Sequence, residues 1–187
     1  MRPVEPLAIC PHSFARRDVE PVPEFAPEQV VRLLGRHKVR YVLIGGLAAV
    51  THGAPLITQD VDLCYDRATA NLQRLADALT EVHARLRRAE PNLPFRLDAT
   101  TLARGDAFTF VTDIGWIDIM ATPAGVDGYE DLARTAVVYT LFGHKALVAS
   151  VDDLIRMKRA AGRPKDLLAL EELGALRDEL DQQGSGA

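Results

Sequence analysis

Apolar residues come in short bursts between turn-forming residues, and the period changes from burst to burst. After Pro27, which a first helical turn accepts, Val30, Val31, Leu33 and Leu34 share one helical face and predict a helix to about His37. Tyr41-Val42-Leu43-Ile44 is continuously apolar and closes on Gly45-Gly46, the pattern of a strand buried on both faces. Leu47 to His52 reads as a short helix stopped by Gly53 and Pro55, and Asp60 to Tyr65 as a second strand. Leu72, Leu75, Leu79, Val82 and Leu86 keep helical phase and predict an amphipathic helix from Ala68 to Arg88. Phe108 to Val111 and Trp116 to Met120 form a hairpin through Thr112-Asp113-Ile114-Gly115. A shorter pair covers Val137 to Leu141 and Ala146 to Ala149. Two helices follow, Val151 to Ala161 and Pro164 to Leu180, broken at Gly162. Interleaved strands and helices give an α/β (α+β) fold, a small mixed β-sheet flanked by helices with a helical C-terminal end.

The ends read differently. Residues 1–24 hold Pro3, Pro6, Pro11, Pro21 and Pro23 without an apolar period, which predicts an extended N-terminal arm. Residues 25–181 form the folded domain, and residues 182–187 a flexible tail. A length of 187 residues supports one core rather than two ordinary domains. Lys and Arg number 22 against 26 Asp and Glu, a net charge of −4. That balance excludes binding nucleic acid through bulk positive charge, although a local basic groove stays open. The apolar runs are too short for a membrane span. No basic segment leads into an apolar run near Met1, and Cys10 and Cys64 are too few for a disulfide framework, so the expected setting is cytoplasmic.

The strongest chemical signal is a pair of acids. Side chains alternate along a strand, so Asp60 and Asp62 share a face with Cα atoms about 6.5–7 Å apart. Val61 and Leu63 face the other way, into the core. Carboxylates held side by side repel unless they share a proton or bind a cation. Asp118 repeats the pattern as a lone acid in Trp116-Ile117-Asp118-Ile119-Met120. Three convergent carboxylates are the hard oxygen set that Mg²⁺ prefers. The plainer reading is an edge strand carrying ordinary solvated acids. Gly45-Gly46, between a strand and a helix, lets a phosphate approach the backbone closely, or it is simply a tight turn. No dinucleotide fingerprint and no Gly-x-x-x-x-Gly-Lys phosphate loop accompanies it.

Lys158, Arg163 and Lys165 cluster around the break at Gly162, either as a clamp for phosphates or as a solvated helix face. Cys64 reads as core filling, Trp116 as a core anchor, and His52 as a residue that packs near the glycine turn. Arg85, Arg87 and Arg88 read as the cationic end of the long helix.

Taken together, Gly45-Gly46, Thr58-x-Asp60-x-Asp62, Asp118 and Leu154-Ile155-x-Met157-Lys158-x-x-Ala161-Gly162-Arg163-x-Lys165-Asp166-Leu167 resemble the nucleotidyltransferase superfamily. The branch they resemble is the AbiEii/MenT-like nucleotidyltransferases of bacterial toxin–antitoxin systems. The similarity runs from about Val39 to Leu173 and rests on four separated motifs in order. It implies Mg²⁺ or Mn²⁺ as cofactor and a nucleoside triphosphate such as ATP or CTP as substrate. It also implies transfer of a nucleoside monophosphate, with the tRNA 3′ end as acceptor and a cognate antitoxin as partner. By the same resemblance Gly45 and Gly46 hold the triphosphate, Asp60 and Asp62 ligate the metal, and Asp118 completes the metal site or accepts the acceptor's proton. Lys158 and Asp166 match later catalytic positions, Lys158 on phosphate, with Arg163 and Lys165 assisting. Thr58 matches a nucleotide-site hydroxyl that is modified in some relatives. Leu56 stands where the family often has arginine. Alternatives are transfer to a protein or aminoglycoside, or a catalytically weak nucleotide-binding module.

Overall fold

Val30, Val31, Leu33 and Leu34 are all buried on one face of α1 (Pro27–Arg36), which starts at the proline that favours a first turn. The computed structural model describes residues 24–90 and 94–184, so arm residues 1–23 and tail residues 185–187 lie outside the described residues. The chain continues through β1 (Tyr41–Ile44), α2 (Gly45–Thr51), β2 (Asp60–Tyr65), α3 (Thr69–Glu81) and β3 (Arg85–Leu86). Next come α4 (Ala99–Arg104), β4 (Ala107–Thr112), β5 (Gly115–Met120), α5 (Tyr129–Thr135), β6 (Val137–Leu141) and β7 (His144–Val148). It closes with α6 (Val151–Ala161) and α7 (Pro164–Gly184).

Among the described residues the strands make one seven-stranded sheet in the order β3-β4-β5-β2-β1-β7-β6. Pairing is parallel for β2 with β5 and for β1 with β7, and antiparallel elsewhere, so the sheet is mixed. All four residues of β1 are buried, as its uninterrupted apolar run requires of a strand covered on both faces. In β2 the alternation is literal. Val61 and Leu63 are buried in the core while Asp60 and Asp62 are partly exposed on the opposite face. Because β2 lies between β1 and β5, these acids are not on an edge strand.

Several elements depart from the sequence expectation, among them β7, which starts at His144 rather than Ala146. The helix expected to reach Arg88 stops at Glu81; His83 turns the chain at φ 50°, and Arg85 and Leu86 pair with Val111 and Phe110 of β4. Val82 and Leu86 kept helical phase, yet pairing on the sheet edge satisfies more backbone groups than a frayed last turn would. The glycine pair is the first turn of α2, so that helix starts two residues before Leu47. At the other end, α7 runs on to Gly184 through residues assigned to the tail. The short helices α4 and α5 had no apolar period to announce them, although Asp98 caps α4 by accepting from the Thr101 N–H at 2.8 Å. No described helix is long and apolar enough to cross a membrane.

Candidate active site

Parallel pairing sets Asp62 directly beside Asp118, and Asp60 beside Trp116, so three carboxylates rise from adjacent strands on one face of the sheet. All three line a cavity of about 610 Å³, whose wall also includes Gly46, Thr58, Lys158, Arg163 and Asp166. Thr58 fixes Asp60: its hydroxyl donates to the Asp60 carboxylate at 3.1 Å. Burial, together with repulsion from Asp60 and Asp118, pushes the Asp62 carboxyl up to about 7. Lys158 and a hydrogen bond from the Gly46 N–H act in the opposite direction on Asp62.

The glycine pair is required by this packing. Gly45 sits at φ +68°, and a β-carbon there would lie 1.9 Å from the Asp62 Oδ2 atom. A β-carbon on Gly46 would lie 2.8 Å from the Thr58 hydroxyl. With no side chains, the start of α2 lies directly under the acids.

Opposite the acids stands a cationic wall built on the junction of α6 and α7. Ser150 caps α6 by accepting the Asp153 N–H at 3.2 Å, and Gly162 ends it in the left-handed conformation. The junction brings Lys158 Nζ to 3.0 Å from Asp166 Oδ1 and Arg163 Nε to 2.8 Å from Asp166 Oδ2. Asp166 is 1% exposed. Burial alone would raise its carboxyl, but the hydrogen bonds from Arg163 and Lys158 outweigh that and hold it down at about 2. Asp166 therefore bonds to the cations that face Asp62 rather than to the other acids. The side chain of Lys165 lies outside the described residues, although its backbone is in the first turn of α7.

A second cavity of about 220 Å³ shares Asp62, Met120, Lys158 and Arg163 with the first and is otherwise mainly apolar, with Ile44, Pro123, Leu154 and Met157 in its wall. The molecule thus offers a polar chamber beside an apolar slot.

The sequence did not point to two residues of the polar chamber. Arg87, expected at the end of a helix, leaves the short β3 strand instead and places its Nη2 atom 3.0 Å from Asp118 Oδ2. Its guanidinium lies 4.9 Å from the centroid of the Trp116 ring, so Trp116 lines the cavity rather than anchoring the core. The strand alternation that puts Trp116 on the face of Asp118 could have found Trp116, whereas no local signal marks Arg87. His52 turns away, bonding the Ala149 carbonyl at 2.8 Å and the Tyr139 hydroxyl at 3.0 Å, and Cys64 is fully buried.

The donor set suits a divalent cation in kind: three hard carboxylates, one of them raised by burial and by repulsion from the other two. Among the described residues, however, no three such groups already stand close enough to grip one ion, and Asp118 is engaged by Arg87.

No family model matches the chain, and no curated protein matches it. Solved structures do. One is a Thermotoga maritima protein provisionally called a nucleotidyltransferase, 18% identical over 86% of this chain and 97% of that one, with a TM-score of 0.48. Another is the lincosamide antibiotic adenylyltransferase LnuA with lincomycin bound, 14% identical over 82% of this chain and 99% of that one, with a TM-score of 0.56. Through the likeness to LnuA, the mixed seven-stranded sheet with its helical C-terminal end is established as a nucleotidyltransferase fold.

Proposed function

We propose that this protein is a divalent-metal-dependent nucleotidyltransferase that moves a nucleoside monophosphate from a nucleoside triphosphate to an acceptor hydroxyl. One observation carries the reading: on this fold Asp60, Asp62 and Asp118 line one cavity with Lys158 and Arg163. In such a transfer the acceptor oxygen bonds to the α-phosphorus, the bond from that phosphorus to the oxygen bridging it to the β-phosphate breaks, and pyrophosphate leaves in line. Asp60 and Asp62, with Asp118 completing the set, would hold Mg²⁺ or Mn²⁺, which when bound supplies neutralisation of the phosphate charge. Lys158 and Arg163, aligned by Asp166, hold the departing phosphates, with Lys165 as a further cation. Gly45 and Gly46 leave room for the triphosphate beside Asp62. Thr58 keeps Asp60 in position, and Asp118 accepts the proton of the attacking hydroxyl where it is not ligating metal.

The motif order, with its Lys-x-x-Ala-Gly-Arg-x-Lys-Asp signature, favours the tRNA 3′ end as acceptor, and a growth-arresting AbiEii/MenT-like toxin held by an antitoxin as the biological role. A second reading, a small-molecule hydroxyl as acceptor, is favoured by the likeness to a lincosamide adenylyltransferase. Incubation with Mg²⁺ and each α-labelled triphosphate, together with total tRNA, cell protein, or lincosamide and aminoglycoside drugs, separates them. Label on tRNA that disappears with Asp60→Ala supports the first reading. Label on a drug supports the second, and no labelled product with any triphosphate and acceptor overturns both.

A further inference from the structure

Arg87 has no part in the transfer described above, yet it sits on the acid group. Its backbone is held where β3 ends, with the Arg87 N–H donating to the Thr109 carbonyl at 2.8 Å. Its side chain, 21% exposed, reaches an Asp118 carboxylate that is 11% exposed, at 3.0 Å. The guanidinium also stacks over Trp116. A planar guanidinium suits both contacts at once, bonding a carboxylate through its edge while its face lies on a ring. Asp118 stands in register beside Asp62, so Arg87 neutralises one of the two carboxylates that crowd charge onto it.

We infer that Arg87 is a displaceable counter-ion: it holds Asp118 while the acid group is free of metal, and a divalent cation must compete with it for that carboxylate. The inference rests on the metal reading of the acid group proposed above. Its physical basis is charge: a guanidinium 3.0 Å from Asp118 Oδ2 and a small divalent cation held by the same carboxylate would lie within a few ångströms of each other in a partly desolvated chamber, so each weakens the other's hold on Asp118. Displacement frees a guanidinium inside the chamber that Lys158 and Arg163 also line, so metal arrival and a third cation facing the substrate are linked events.

Trp116 makes the exchange observable, because it is the chain's only tryptophan. The experiment titrates the purified full chain with Mg²⁺, following heat for affinity and Trp116 emission for the position of Arg87. Wild-type emission should change along the binding isotherm. Arg87→Gln should bind Mg²⁺ about five- to tenfold more tightly, the size of a modest coupling between sites, and its emission should no longer respond. Arg87→Lys keeps the charge but loses the fork and the stacking, so its affinity should fall between the two and guard against a folding defect in the glutamine variant. In an Asp118→Asn background the effect of Arg87→Gln should vanish. Unchanged or weaker Mg²⁺ binding by both Arg87 variants overturns the inference, and so does silent wild-type emission during binding that Asp62→Asn abolishes. Wild-type protein that binds no Mg²⁺, even with a triphosphate present, overturns the metal reading itself.

Discussion

At Gly45 two independent requirements meet: a backbone at φ +68° and the carboxylate of Asp62 pressed where a β-carbon would be. Relief would need Asp62 to swing away as a whole, since its Cβ and Cγ atoms are also within 2.7 Å of that position. Gly45→Ala should therefore lower stability by about 1–3 kcal/mol and weaken Mg²⁺ binding, checked by thermal melting and calorimetry on one sample. Asp62 itself is a charge at odds with its neighbours when no metal is present. Burial and the proximity of Asp60 and Asp118 disfavour its ionised form. Asp62→Asn should leave the metal-free fold as stable as the wild type or more stable by about 1 kcal/mol at neutral pH, while abolishing transfer. Denaturant melts in a metal chelator decide this; a loss of several kcal/mol there would show that the carboxylate is structural. The acid pair was legible because strand alternation is strict: Val61 and Leu63 had to face the core, so Asp60 and Asp62 had to face away. Arg87 was not legible, because Val82 and Leu86 stay in helical phase through a turn that only pairing with β4 imposes.

At the scale of elements, the junction of α6 and α7 is built around one buried acid. Asp166 is held at about 2, below the ordinary carboxylate value of 3.8, by Arg163 and Lys158 against the effect of burial. A carboxyl lowered on folding stabilises the native state above its unfolded pKa and loses that contribution as pH falls. The wild type should thus lose about 1–2 kcal/mol more than Asp166→Asn between roughly pH 4 and pH 2, the solvent exposure of Arg163 keeping the figure small. Acid titration followed by circular dichroism measures it, and parallel curves for the two proteins would remove Asp166 as the anchor. At neutral pH Asp166→Asn should also slow transfer by releasing Lys158 and Arg163. The helix start upstream depends on Ser150, and Ser150→Ala should cost about 1 kcal/mol in thermal melts. Helices α6 and α7 could be read as two helices broken at Gly162. Helices α4 and α5 could not, since six or seven residues hold too few turns for a period to emerge from local sequence.

In the whole molecule, a central pair of strands carries acids on one face and core on the other, and the C-terminal helices bring cations over the acid face. Asp60 and Lys158 are far apart along the chain, so the order of the motifs could announce their meeting while local spacing could not. Neighbouring strands in space, β2 with β5 and β1 with β7, are likewise distant in sequence, and their registers are fixed only once the sheet has formed. What is tested, therefore, is whether these distant groups act together on a triphosphate. The most direct measurement is transfer from an α-labelled triphosphate with Mg²⁺ present or chelated, comparing wild type with Asp60→Ala, Asp118→Ala and Lys158→Ala, each first shown to melt like a folded protein. The expected result is Mg²⁺-dependent product that falls at least about 100-fold in both aspartate variants and about 10-fold or more in the lysine variant. Wild-type product made equally well under chelation, or undiminished transfer by the folded Asp60→Ala protein, would contradict it.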